Sequence, residues 1–282
     1  MKLKKRLLIV LAAGFGLLFL NTNATAGYLD SGWENISQYD STQNDGYGNT
    51  NRPNSWKYKY KEDNEVEPGA ATGQEWDIEG FFFSDGKDDS VPDNELALVG
   101  GFDFKDGQEG IPSGDIFIDT DGDMDNGYYE FVMDLDFGTG KYDVIQSTQE
   151  DGEITYTEAK DSGFSGPTKT GNTAWKYFSG GTTIGSGLAF QYLQYNSNSG
   201  VGGGLKGANG NQSHNIVQVN LGFLGGNTSF AVLNTMGCAN DVAVAWGETP
   251  NAAVPEPATI FLLGSGLLGL FGYRKKFRKS KN

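Results

Sequence analysis

Apolar and polar residues alternate over short runs along most of the chain, and no long stretch carries the 3.6-residue apolar period of an amphipathic helix. Clusters of Gly, Asn, Asp and Ser interrupt these runs, a pattern that predicts antiparallel strands. Strands are expected at 75–84, 95–104, 114–118, 128–137, 142–146, 154–158, 174–178, 188–195, 216–221, 228–233 and 242–246. The clearest is 128–137. There Tyr129, Phe131, Met133, Leu135 and Phe137 are set to one face, and Glu130, Asp134 and Asp136 to the other with Val132 among them. So many short strands predict an all-β fold, a single antiparallel β-sandwich or jelly roll. Residues 27–72 read as a loop-rich start with one or two edge strands. Residues 196–213, rich in Gly and Asn, read as a flexible loop or hairpin tip.

Two longer apolar runs break the pattern, one near each end. Residues 7–20 are uninterruptedly apolar, follow Lys2, Lys4, Lys5 and Arg6, and precede Ala24-Thr25-Ala26. Basic, apolar and small-residue parts in that order predict a signal peptide over 1–26, with a signal helix cut by signal peptidase. A permanent span needs about 20 residues, more than this run supplies. Toward the other end, Val254-Pro255-Glu256-Pro257 is followed by an apolar stretch at 258–273 and then by Arg274, Lys275, Lys276, Arg278 and Lys279. Two prolines hold an extended segment that a processing enzyme can grip. Sixteen apolar residues make a membrane helix of about 24 Å, and the basic cluster beyond it anchors a cytoplasmic C-terminus by the positive-inside rule. These parts together resemble the PEP-CTERM sorting signals of Gram-negative bacteria. The resemblance implies that Val254, Pro255, Glu256 and Pro257 form the motif read by an exosortase, as substrate residues and not as catalysts. The expected organisation is a signal peptide at 1–26, a sandwich body at 27–247, a linker at 248–253 and a sorting tail at 254–282. The tail would be a transient single-pass anchor, and the body would end at the cell surface or outside.

Removing both ends changes the charge picture. Of 21 Lys and Arg, four lie in the leader and six in the tail, whereas only Glu256 of the 36 acids does. The body therefore holds 11 basic and 35 acidic side chains, a net charge near −24. No nucleic acid is expected as a partner, because phosphate contacts need a basic surface. The lone Cys238 cannot form an intramolecular disulfide and reads as a small buried hydrophobe. The lone His214 falls in the Gly/Asn-rich loop, which gives little support to zinc sites or Ser-His-Asp chemistry.

The acidity is most concentrated at Asp119-Thr120-Asp121-Gly122-Asp123-Met124-Asp125, with Glu130 eleven residues after Asp119. The carboxylates match EF-hand spacing, but Met124 stands where the sharp turn needs Gly and the flanks read as strands, which argues against an EF-hand. Carboxylates this close repel one another unless a cation neutralises them. Asp119, Asp121, Asp123, Asp125 and Glu130 are the expected Ca²⁺ ligands, the alternative being an exposed acidic turn. The stretch from Glu75 to Val144 resembles exported β-sandwich proteins of uncharacterised role. It is more loosely similar to family 9 carbohydrate-binding modules, in which an IDTDGD-then-YEF arrangement recurs. The expected role is non-catalytic, a surface or matrix protein associated with extracellular polysaccharide. Tyr and Trp side chains at 33–60 are candidate sugar-stacking groups or core residues. One alternative is a secreted polysaccharide-degrading enzyme using a carboxylate pair such as Glu75 with Glu79 or Asp134 with Asp136. Another is a purely structural or adhesive protein.

Overall fold

The computed structural model describes residues 26–37, 73–86, 90–122, 128–147, 154–159, 174–205 and 211–251. The expected signal helix, the sorting motif at Val254, Pro255, Glu256 and Pro257, the membrane helix and the basic residues after it lie outside the described residues, as do Asp123 and Asp125. Among the described residues no helix is long and apolar enough to cross a membrane.

The fold is all-β and antiparallel throughout. The strands are β1 (Glu34–Asn35), β2 (Gly80–Ser84), β3 (Glu95–Gly100), β4 (Ile116–Asp119), β5 (Phe131–Asp136), β6 (Lys141–Gln146) and β7 (Thr155–Glu158). Then follow β8 (Ala174–Ser179), β9 (Thr182–Ala189), β10 (Gln191–Tyr195), β11 (His214–Asn220), β12 (Ser229–Thr235) and β13 (Val242–Glu248), with one short helix, α1 (Asn198–Val201), between β10 and β11. Five strands form one sheet in the order β1-β2-β3-β11-β10, and six form a second in the order β13-β12-β4-β5-β6-β9. Their inner faces meet over a core that includes Phe81, Leu98, Phe102, Ile118, Met133, Val217, Phe230 and Ala245. Alternation along each strand builds this layer, since inward residues recur at every second position.

The outer faces are also covered, which the sequence pattern does not announce. A two-stranded sheet of β7 and β8 lies over the six-stranded sheet, burying Phe117, Val132, Ile145, Ala231 and Val244. Tyr156 seats it, its ring 5.6 Å from that of Phe117 and 5.7 Å from that of Tyr129. On the five-stranded sheet, Leu29, Val201 and Leu205 cover Phe82, Val99 and Ile216.

Several expectations are corrected by this layering. Tyr129 does not share a face with Phe131, Met133 and Leu135; it packs on the outer side with Val132, because β5 begins only at Phe131. The strand expected at 188–195 is two strands in different sheets with Phe190 between them. Residues 75–76, expected as strand, belong to a 3-10 turn, Gln74–Trp76. The segment 196–213 is not simply a flexible tip, for it contributes α1 and two buried apolar residues, Val201 and Leu205. His214 opens β11 and is fully buried. Its ring bonds Glu79 Oε2 through Nδ1 and Asn198 Oδ1 through Nε2, both at 2.8 Å. The Gln74 amide donates to Glu79 Oε1 at 2.7 Å. This buried polar chain ties the 3-10 turn, β11 and α1 together. Cys238 is buried in the core with its thiol pKa raised by burial, in keeping with a small hydrophobe.

Candidate acidic site and its setting

Strands β4 and β5 pair Ile116 with Met133, Phe117 with Val132 and Ile118 with Phe131. The next step outward along the same ladder brings Asp119 to the level of Glu130. Both then project to the outer face, where Phe117 and Val132 already sit. Phe117 and Tyr129 pack with ring centroids 5.0 Å apart, fastening the strand into the turn to the segment leaving it. The turn begins tightly: Gly122 has φ +86°, a left-handed conformation that favours glycine, and its N–H donates to Asp119 Oδ1 at 2.7 Å. Thr120 donates its backbone N–H to Glu130 Oε2 at 2.6 Å.

Asp119, Asp121 and Glu130 each offer a carboxylate oxygen to a cluster whose atoms lie within 4.8 Å of one another. Two oxygens at Ca²⁺ bonding distance from one ion stand at most about 5 Å apart, so the spacing suits that cation. Asp119 is fully buried, and its Oδ2 is a buried atom with no hydrogen-bond partner. Its pKa is pushed up to about 7, first by burial and then by the charges of Glu130 and Asp121, with the Gly122 N–H opposing. A carboxylate in this position needs either a proton or a cation. Of the five expected ligands, three are thus brought together, and Asp123 and Asp125 belong to residues not described.

The site abuts a cleft. Asp119 pairs with Ala231 across β4 and β12, and Ala231 pairs with Trp246 across β12 and β13, so the three stand on one rung. A Cβ built on Gly122 would lie 3.7 Å from the Trp246 ring carbon Cη2, which places the turn in contact with that indole. Trp246 in turn borders a cleft of about 650 Å³ whose lining includes Glu34, Phe83, Asp85, Asn227 and Glu248. Sequence reading missed this cleft because its walls come from chain segments more than 200 residues apart.

Of the four carboxylates considered for acid–base catalysis, Glu75 is exposed and the other three are engaged structurally. Glu79 is sealed inside with His214 and Gln74. Asp134 faces Lys176 at 3.3 Å. Asp136 is exposed, and its pKa is lowered chiefly by the Thr139 hydroxyl, with the Thr139 and Gly138 N–H groups assisting. Among the fully buried acids that sequence reading did not single out is Asp115. It accepts from Lys176 Nζ at 2.5 Å, from the Leu135 N–H at 2.9 Å and from the Tyr177 N–H at 2.8 Å. Burial nonetheless raises its pKa to about 6, against the pull of Lys176. The preceding Gly114 has no room for a side chain, since a Cβ would meet the carbonyl oxygens of Thr235 and Trp175 at 2.5 Å.

Residues 253–278 match the family model described as the PEP-CTERM protein-sorting motif. The motif marks an exported protein that an exosortase processes on the way to the cell surface or beyond. No curated protein matches the chain. No solved structure matches it either, so the likeness of the 75–144 region to family 9 carbohydrate-binding modules gains no support.

Proposed function

We propose that this exported, exosortase-sorted chain carries a non-catalytic, calcium-stabilised β-sandwich that works in the polysaccharide outside its producing cell. The observation that carries the calcium part is Asp119 Oδ2, buried without a donor beside the carboxylates of Asp121 and Glu130. Ca²⁺ accepts six to eight oxygens in adaptable geometry, and a strand–turn–strand can supply several of them. The ion would neutralise the cluster and lock the turn between β4 and β5. Two features favour a glycan partner. The sorting tail resembles those of exopolysaccharide-making bacteria, and Trp246 with amide and carboxylate side chains borders an open cleft. Aromatic faces flanked by polar groups suit sugar rings with their mixed apolar and hydroxyl surfaces. The structural engagement of Glu79, Asp134 and Asp136 supports a non-catalytic reading.

The test is a melting measurement on the exported protein in EDTA and in calcium, followed by titration with the producer's own exopolysaccharide under both conditions. Calcium should raise the midpoint, and glycan should quench tryptophan fluorescence in a manner that Trp246→Ala removes. No midpoint shift at millimolar calcium would refute the cation site. Hydrolysis of the polysaccharide by the wild type, lost in a carboxylate variant, would replace the binding reading with the enzymatic one.

A further inference from the structure

The charge of the body is unevenly placed. Residues 177–205 contain no charged side chain and no proline, although the body as a whole is strongly acidic. Within this stretch lie β9, at one edge of the six-stranded sheet, and β10, at one edge of the five-stranded sheet. Phe190 alone separates them, so the two edges close the same side of the sandwich. At eight residues β9 is the longest strand described, and among the described residues it pairs only with β6. Seven of its eight residues are exposed.

Three of the four large apolar side chains left exposed among the described residues are in this region. Ile184 (45 %) and Leu188 (39 %) are on β9, and Phe178 (75 %) is on the neighbouring β8. Sheets that must stay solitary blunt such an edge with lysine, proline, an inward charge or a β-bulge. Thr182–Ala189 supplies none of the first three, and the irregularities in its ladder with β6 leave Ile184 and Leu188 exposed. Two register shifts interrupt the β6–β9 ladder, and Ser186 Oγ and the Gly187 N–H hold the bend through Asp143 Oδ1 at 2.9 and 2.7 Å. That carboxylate, on β6, is thereby engaged from the β9 side.

We propose that the β9–β10 side is a self-association surface on which a second copy of this chain adds its own β9, antiparallel, about a two-fold axis. Charge selects the partner. Two bodies this acidic repel over most of their surfaces, whereas a copy presenting the same uncharged edge brings no like charge to the contact. Ile184 and Leu188 would be covered, and the outward backbone groups of β9 would find partners.

Cross-linking in the full chain tests the pairing. Single cysteines are placed in turn at the positions of Thr182–Ala189, with Cys238→Ala as background and Ser229→Cys as an exposed control. The exported protein is then oxidised. Disulfide-linked dimers should peak at the one or two β9 positions that lie on the two-fold axis, exceed the control several-fold there and fall away toward both ends of the strand. Adding Ile184→Lys or Leu188→Lys should abolish them while leaving the far-ultraviolet circular dichroism spectrum unchanged. Dimer yields no higher than at Ser229, yields spread evenly along the strand, or cross-links only to a different protein would each overturn the proposal.

Discussion

At the scale of single residues, the buried carboxylates decide how the molecule responds to pH and cations. Asp119 has a folded pKa near 7 against an ordinary value of 3.8. The folded state therefore holds its proton over a range in which the unfolded chain has released it. Stability from this group is full below about pH 4 and is lost as pH climbs toward 7. Asp115, raised to about 6, adds a loss of the same sign over a narrower window. In EDTA the melting temperature should accordingly fall between pH 4 and pH 7, and calcium should restore it most effectively at and above pH 7. A calcium concentration about a hundred times Kd adds about 2.7 kcal/mol, which for a domain of this size is roughly 5–10 °C in Tm. Asp121→Ala should erase that rise in a calcium titration followed by circular dichroism. Asp119→Asn should erase it too, while raising the midpoint in EDTA above pH 7, because it removes a buried charge without removing volume.

At the scale of elements, polar contacts fasten the outer layers. Lys176 reaches from β8 to Asp115, which immediately precedes β4, and to the β5 residue Asp134 and the Leu135 carbonyl. Replacing Lys176 with Met leaves Asp115 buried without its cation and should cost about 3 kcal/mol in urea unfolding. Part of that loss should be recovered as pH falls, because Asp115 without the lysine takes up a proton more readily. Glu79→Leu should free α1 and the 3-10 turn together, visible as faster amide exchange at Val201 and Trp76, since both segments hang on the Glu79–His214–Asn198 chain. These layers also mark where the sequence was legible. Strands with strong alternation, such as β5 and β12, are found close to where they were expected. The first six residues of β9, Thr-Thr-Ile-Gly-Ser-Gly, fall outside the expected strands because an edge strand with one neighbour tolerates polar and glycine residues. His214 was read as a loop residue because a neighbouring Gly/Asn-rich segment says nothing about the Glu79 carboxylate awaiting it from 135 residues away. The clustering of Asp119, Asp121 and Glu130 was legible through their spacing. The burial of Asp119 was not, since the rung it shares with Ala231 and Trp246 is assembled from strands far apart in sequence.

At the scale of the whole molecule, the sandwich and the sorting tail act in sequence. Changing Pro255, Glu256 and Pro257 to alanine should leave the fold intact and cause an uncleaved precursor to accumulate in the membrane fraction, detectable by its size on an immunoblot. A wild-type pattern in that variant would contradict exosortase recognition through the motif.

The last strand of the body carries one more consequence, for timing. β13 pairs with β12 along its length, and its free edge is bridged by the chain following β1, where the Trp246 N–H donates to the Ile36 carbonyl at 3.2 Å. Thr249 then closes the end by exchanging bonds with Thr228 and Asn227. The earliest and latest parts of the body are thus direct neighbours, and the matched sorting motif begins at residue 253, just beyond Asn251. A chain threaded outward from its N-terminal side must keep residues 34–37 waiting until residues 242–251 have crossed. The sandwich can therefore close only at the moment the processing enzyme gains access to its substrate. Completion of folding and processing by the exosortase then both wait on the arrival of the same few residues.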